Sequence, residues 1–377
     1  MPLSLPAYPS RARSLTGVLA DARDSLSGAT ASLPPATSAV VFVLDGLGAH
    51  NLAARSGHAR FLSSLGSRSS VARTVFPSTT AAALTSLLTG VDPGRHGIVG
   101  YRVRIPGTDE APNQLHGWET HHLDPRVWQR AAPILETEAR AGRPVFVVSR
   151  PEYRGTGFTE ATLRGAEIVG VDSLTERVTV AADIAASHPG ALVYLYAPDL
   201  DSAGHRYGWE SDEWTAALEG VDTAVRRFSD ALAPGTGALL TADHGMIDVA
   251  AHRRLLIGAD SPLWDGVRLV GGEPRMLHLY AEPGSAGDVL AAWSAAESAR
   301  AWVLSRDEAV GAGLFGRVDR EVLERIGDVV VAARAAVAYY DDREADKKAQ
   351  RMVGQHGSLT VEERIVPLLP MGAFRRD

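Results

Sequence analysis

Four short apolar runs rich in β-branched residues punctuate the first two thirds of the chain, and three of them end at an aspartate. Residues 38–44 (SAVVFVL) lead into Asp45-Gly46, residues 191–197 (ALVYLYA) into Asp199 and Asp201, and residues 238–242 (ALLTA) into Asp243-His244; residues 144–149 (PVFVVS) form the fourth. Runs of this length without polar alternation predict strands buried on both faces. Helical patterns separate them, over 81–88, 126–141, 173–187 and 211–232. Strands alternating with helices predict an α/β fold with a mostly parallel central sheet and helices on both faces. In such sheets the ligand crevice lies beyond the carboxyl ends of the strands, where the three Asp-bearing turns would converge.

From about residue 252 the texture changes. Short strands over 267–270 and 276–280 and an Ala-rich helix over 286–299 sit among polar loops, and 353–370 returns to the main sheet. The expected organisation is a core of residues 1–251 and 352–377 into which a smaller α+β lobe, 252–351, is inserted. The loop 100–123, rich in Gly, Pro, Asn and His, is long enough to be a flap over the site, although loops of this length also serve as plain connectors.

Composition narrows the chemistry. A chain of 377 residues, 45% of them apolar, buries one large core or two unequal ones. No uninterrupted apolar stretch reaches 18 residues, and the opening MPLSLPAYPSRARSLTG lacks the apolar segment of a signal peptide, so a cytoplasmic protein without a membrane partner is expected. The formal charge of -7, from 45 acids against 38 bases with no long run of either sign, argues against a nucleic-acid polymer as partner. Lysine occurs only at Lys347 and Lys348, which excludes a phosphate-binding loop of the G-x-x-x-x-G-K-[ST] kind. Cysteine is absent, so any metal falls to His, Asp, Glu or hydroxyl groups.

Five segments carry candidate chemistry. Asp45 closes a buried strand, a place where an aspartate also serves as helix cap or turn former. Asp201 and His205 stand four apart, so one helical turn presents both to a single ion, although such pairs also make plain surface hydrogen bonds. Gly204, just before the histidine, allows a close approach of backbone or substrate. Asp243 and His244 can serve one ion only if the strand has ended and the chain is turning, which Gly245 permits; a hydrogen-bonded loop histidine is the alternative. His356 sits between glycines in Gly354-Gln-His356-Gly357. In Phe76-Pro-Ser-Thr-Thr80, followed by AAALTSLLTG, a hydroxyl on the first helical turn lies where dipole and free N–H groups favour a phosphate, and where threonine also caps.

In order and fit, these segments resemble the alkaline phosphatase superfamily and, within it, the type I phosphodiesterase/nucleotide pyrophosphatase family. The likeness rests on the strand ending in Asp45-Gly, a Ser or Thr at the head of a helix ending Thr-Gly, Pro-x-x-His-Gly-Ile at Pro93 to Ile98, Asp-x-x-Gly-His, Asp-His-Gly-Met at Asp243 to Met246, and a late Gly-x-His-Gly. It spans roughly residues 38 to 360, with 252–351 matching only in placement. In that family the nucleophile lies ten residues before the glycine ending its helix, and counting back from Gly90 gives Thr80.

The resemblance implies one ion held by Asp201, His205 and His356, and a second held by Asp45, Asp243, His244 and the Thr80 oxygen. Two divalent ions are thus expected, with zinc favoured and manganese or iron compatible with the same donors. It also implies hydrolysis of phosphodiester or pyrophosphate bonds in a small phosphorylated substrate, nucleotides included, through a phospho-threonine intermediate at Thr80. Ala83 departs from the Asn that phosphodiesterase members commonly carry three residues after the nucleophile, which leaves a phosphomonoesterase or a phosphonate hydrolase of the superfamily open. Asn113, His116 and Trp118 in the flap are candidate substrate contacts, and Arg102, Arg104 and Arg154 are candidate anchors for extra phosphate charge. No sulfatase signature stands at the nucleophile. The non-enzyme alternative is a silent metal- or nucleotide-binding module; its dinucleotide version needs G-x-G-x-x-G, and Gly46-Leu-Gly48-Ala-His-Asn51 lacks the third glycine.

Overall fold

Ser38–Leu44 is buried at every position because parallel strands flank both its edges. In this computed structural model, which describes residues 5–28 and 32–375, it lies inside an eight-stranded sheet. The spatial order is Arg13–Ser14, Val71–Arg73, Ile365–Gly372, Thr236–Thr241, Ser38–Leu44, Leu192–Ala197, Val145–Ser149, Glu167–Gly170. Ile365–Gly372 runs antiparallel to both neighbours, and the remaining pairs are parallel. The α/β architecture expected from the sequence is therefore present. Residues 1–4, 29–31 and 376–377, assigned to the core from sequence, lie outside the described residues.

Register decides where the aspartates emerge. Leu44 pairs with Ala197, and Val43 pairs with Thr241, so three neighbouring strands end together. The helices follow as Thr80–Thr89, Leu174–Ser187 and Asp212–Ala231. Ser173 and Ser211 cap the last two by accepting the backbone N–H of Glu176 and Trp214. The stretch 126–141 is a correction: it forms two helices, Pro125–Trp128 and Ile134–Arg140, because the backbone is already extended at Gln129 and Pro133, which has no N–H to donate, is extended at the N-cap of the second.

A separate four-stranded antiparallel sheet has the order Val267–Glu273, Met276–Ala281, Val329–Ala333, Ala301–Ser305, with the helix Ala286–Glu297 against it. Its inner residues Met276 and Val330 share an apolar cluster with Phe76 and Ala81, which flank the candidate nucleophile. Among the described residues, no helix is long and apolar enough to cross a membrane.

Candidate metal centre and active site

Each of the three strand ends delivers its aspartate in a different way. Asp45 follows Leu44 directly and is 2% exposed. Gly46 then turns with φ +77°, in a spot where an added Cβ would stand 3.0 Å from the Asp201 backbone. Asp201 and His205 share one face of the helix Asp199–Tyr207, with Nε2 to Oδ1 at 3.3 Å. The strand Thr236–Thr241 has ended before Asp243, whose Oδ1 accepts N–H groups from His244 at 3.0 Å and Gly46 at 3.2 Å. His244 Nε2 consequently lies 3.3 Å from Asp45 Oδ1 and 3.5 Å from Asp243 Oδ2. His356 closes the group, with Nε2 3.9 Å from Asp201 Oδ1 and 3.3 Å from His205 Nε2.

Proton placement gives this cluster its meaning. The Nδ1 of His205 meets the Gly354 carbonyl at 2.8 Å, that of His356 meets Ser78 O at 2.9 Å, and that of His244 meets Gly245 O at 3.1 Å. A carbonyl only accepts, so each Nδ1 carries the hydrogen and each Nε2 of a neutral ring turns a lone pair inward. The Nε2 atoms of His205 and His356, both turned inward, face each other at 3.3 Å. The carboxylates repeat the pattern: Tyr196 donates its hydroxyl to Asp45 Oδ2, while Asp45 Oδ1, Asp201 Oδ1 and Asp243 Oδ2 are buried without a hydrogen-bond partner.

Burial, followed by the charges of Asp243 and Asp201, pushes the Asp45 carboxyl well above its usual range. Burial, with His244 and His205 next in weight, pushes His356 well below it. Donor atoms of Asp45, Asp243 and His244 lie within 4.8 Å of one another, as do those of Asp201, His244 and His356. Cations among them would relieve the lone-pair and carboxylate repulsion together, and the N/O donor set is one that divalent metals accept.

Thr80 opens the helix Thr80–Thr89 beside this cluster, its Oγ1 3.1 Å from His244 Nε2. Thr79 holds the N-cap with an extended backbone, but its side chain caps nothing, so neither threonine hydroxyl is spent as a cap. The Pro93–Ile98 motif proves to be a clamp on the same helix: His96 Nε2 lies 2.8 Å from Ser86 Oγ, and its Nδ1 accepts the Ile98 N–H at 3.1 Å. Gly204 makes room for Met246, whose sulfur would lie 2.2 Å from an added Cβ, and not for substrate.

A cavity of about 200 Å³ adjoins Asp45, Thr80 and Asp201. Leu84 and Leu88, four and eight residues after Thr80, extend the hydroxyl's helix face into its wall, opposed by Tyr153, Phe158 and Tyr196. Among the described residues, no lysine or arginine lines it. Of the flap residues expected at the substrate, His116 lines the cavity and Asn113 and Trp118 do not. Asn113 Oδ1 accepts the N–H of Leu115 and His116 at 2.8 and 3.3 Å, a local turn. Trp118 is 1% exposed and donates its indole N–H to Gln114 O at 2.7 Å.

The three arginines are engaged elsewhere, Arg102 with Glu344, Arg104 with the Thr108 carbonyl and Arg154 with the Ile168 carbonyl. Sequence reasoning missed the aromatic wall, since a tyrosine in a buried strand carries no sign of which cavity it borders. It also missed Leu84 and Leu88, although their spacing to Thr80 could have pointed to them.

The fold is shared with known proteins. The murine ectonucleotide pyrophosphatase/phosphodiesterase 5 superposes with a TM-score of 0.70 at 18% identity, covering 89% of this chain and 88% of that one. The human ectonucleotide pyrophosphatase/phosphodiesterase 5 gives 0.69 at 18% identity over 90% of each chain. Phosphonoacetate hydrolase from Sinorhizobium meliloti 1021 gives 0.66 at 20% identity over 90% of this chain and 91% of that one. An uncharacterized pyrophosphatase/phosphodiesterase of Schizosaccharomyces pombe is 26% identical over 194 residues, 47% of this chain and 38% of that protein's length. Residues 39–359 match the family described as type I phosphodiesterase / nucleotide pyrophosphatase, so the chain belongs to that family of hydrolases.

Proposed function

We propose that the protein hydrolyses small phosphodiesters that carry an apolar organic group, through a phospho-threonine intermediate at Thr80 and with two divalent cations, zinc favoured. The observation that carries this reading is the ring of inward-turned Nε2 atoms and unpartnered carboxylate oxygens around the Thr80 hydroxyl. Asp45, Asp243 and His244, with the Thr80 oxygen, would hold one cation, and Asp201, His205 and His356 the other. Bound there, the ions would lower the pKa of the hydroxyl and offset charge on the phosphoryl oxygens. Thr80 Oγ1 attacks phosphorus in line, the P–O bond to the departing alcohol breaks, and the phosphoryl group stays on Thr80. The helix N-terminus favours the negative charge that passes through this position. Water then breaks the Oγ1–P bond, releasing the phosphate product and regenerating the hydroxyl.

The murine relative, seen with AMP in an inactive threonine-to-alanine form, supports a nucleotide-like substrate and a threonine at the centre. The cation-free cavity wall favours an ester of an uncharged group over a pyrophosphate or a carboxylate-bearing phosphonate, which would bring further anionic charge. The test pairs bis-p-nitrophenyl phosphate with p-nitrophenyl phosphate, each with and without chelator. Diester hydrolysis that chelator abolishes is expected, and Thr80→Ala should keep its metal while losing turnover. Higher efficiency on the monoester would overturn the diester reading, and an active Thr80→Ala would remove the phospho-threonine.

A further inference from the structure

The hairpin joining Val267–Glu273 to Met276–Ala281 reaches from the smaller sheet into the site. Its Arg275 has no exposed surface and gives two hydrogen bonds to Glu363, at 3.1 and 2.7 Å, and others to the carbonyls of Ala333, Ala335 and Val337. Two residues earlier, Glu273 is built in the opposite way. It is 7% exposed, and neither carboxyl oxygen has a hydrogen-bond partner of normal geometry, although the Thr79 hydroxyl is close enough to lower its pKa. Burial outweighs that and holds the carboxyl up at about 8, so it is mostly neutral at pH 7; Glu363 adds to the rise.

Position makes this acid informative. Gly357 has φ +125°, and a Cβ there would stand 2.6 Å from Glu273 Cγ, so the glycine leaves the space that the carboxyl fills. Gly357 follows His356, and Thr79 precedes Thr80. The two segments are bonded to each other at this point, Ser78 N–H to Gly357 O at 3.2 Å and His356 Nδ1 to Ser78 O at 2.9 Å. Glu273 thus packs where the nucleophile turn and the histidine loop meet.

We propose that Glu273 is a positioning residue for the reaction at Thr80, bracing the Thr79-Thr80 turn against the His356-Gly357 loop from the smaller sheet. The inference rests on the role given to Thr80 above. A buried acid without partners destabilises a fold, and Arg275 shows that this same hairpin satisfies its other buried polar group. A cost retained where the Thr79-Thr80 turn meets the His356-Gly357 loop, and relieved two residues away, marks a group kept for catalysis.

The test compares Glu273→Met, which keeps length without a polar atom, with Glu273→Gln, which keeps the shape and a hydrogen-bonding head. Glu273→Met is expected to lower kcat about tenfold with KM within roughly twofold and bound metal unchanged. Its Tm should rise by about 2–4 °C, because an unpartnered acid has been removed. Glu273→Gln should recover most of the lost kcat. Activity and stability moving in opposite directions separate positioning from a merely structural role. The proposal is overturned if Glu273→Met keeps full kcat, if it loses Tm along with kcat, or if Glu273→Gln is no better than Glu273→Met. A wild-type protein that cleaves no phosphate ester removes the Thr80 reading as well, whereas an active wild type with an unaffected Glu273→Met removes this proposal alone.

Discussion

Arg275 with Glu363, and the Asp–His cluster around Thr80, are both buried polar groups, yet they are finished to different degrees. The first pair is complete: Glu363 accepts two bonds from Arg275, the Ser358 N–H at 2.9 Å and the Thr360 hydroxyl at 2.6 Å. The second cluster has three carboxylate oxygens without a hydrogen-bond partner and two imidazole Nε2 atoms facing each other. Both are costly to bury. A complete network holds the chain in place by itself, while an incomplete one, held rigid from behind by Tyr196 and three backbone carbonyls, is shaped for something outside the chain.

The difference is sharpest when one charge is removed from each cluster. Asp243→Asn should lower kcat/KM by at least ~10³-fold, since it strips a candidate ligand beside Thr80. With chelator present, the same variant should melt higher than the wild type, because one of three crowded carboxylates has lost its charge. Melting curves of both proteins in chelator check this, and a lower Tm for the variant breaks the comparison. Arg275→Met should do the reverse and cost about 3–5 kcal/mol of stability by leaving Glu363 buried without its counter-charge. Urea titration measures it; a loss below about 1 kcal/mol would mean that the pair is not the complete network described.

What the sequence made legible follows the same division. The strand ends at Asp45 and Asp243 and the i, i+4 pair Asp201 and His205 could be read because each depends on local periodicity. So could the likeness to the family, which rests on short motifs in order. The break at Pro133 was also local and was overlooked, since an otherwise helical pattern ran through it. Glu273 and the aromatic wall of Tyr153 and Tyr196 were not legible. Their positions depend on how the smaller sheet and the strand ends pack against the nucleophile helix, and no periodicity encodes that. Trp118 taught the converse: a large residue in a polar loop reads as a substrate contact, but here it is buried in an apolar cluster.

The smallest effect concerns a histidine outside the cation cluster. His96 is fully satisfied in the tautomer opposite to that of the site histidines: Nδ1 accepts from Ile98, so Nε2 carries the hydrogen and donates to Ser86. Burial, with Arg325 nearby, lowers its pKa to about 3. Because the folded value lies below the unfolded one near 6.5, the unfolded chain binds the extra proton first. The stability this group contributes is therefore whole above pH 6.5 and is lost as pH falls towards 3. His278, lowered by burial to about 4, acts in the same sense, while Glu273, raised to about 8, loses its contribution as pH rises from about 4.5 through 8.

His96→Gln should be less stable than the wild type at pH 7, and the gap should narrow on acidification by about 3 kcal/mol between pH 6.5 and 4. Denaturant titrations at the two pH values give the slope. Parallel curves would show that His96 takes up its proton without leaving the fold, and the clamp on the Thr80 helix would then be looser than its two hydrogen bonds imply.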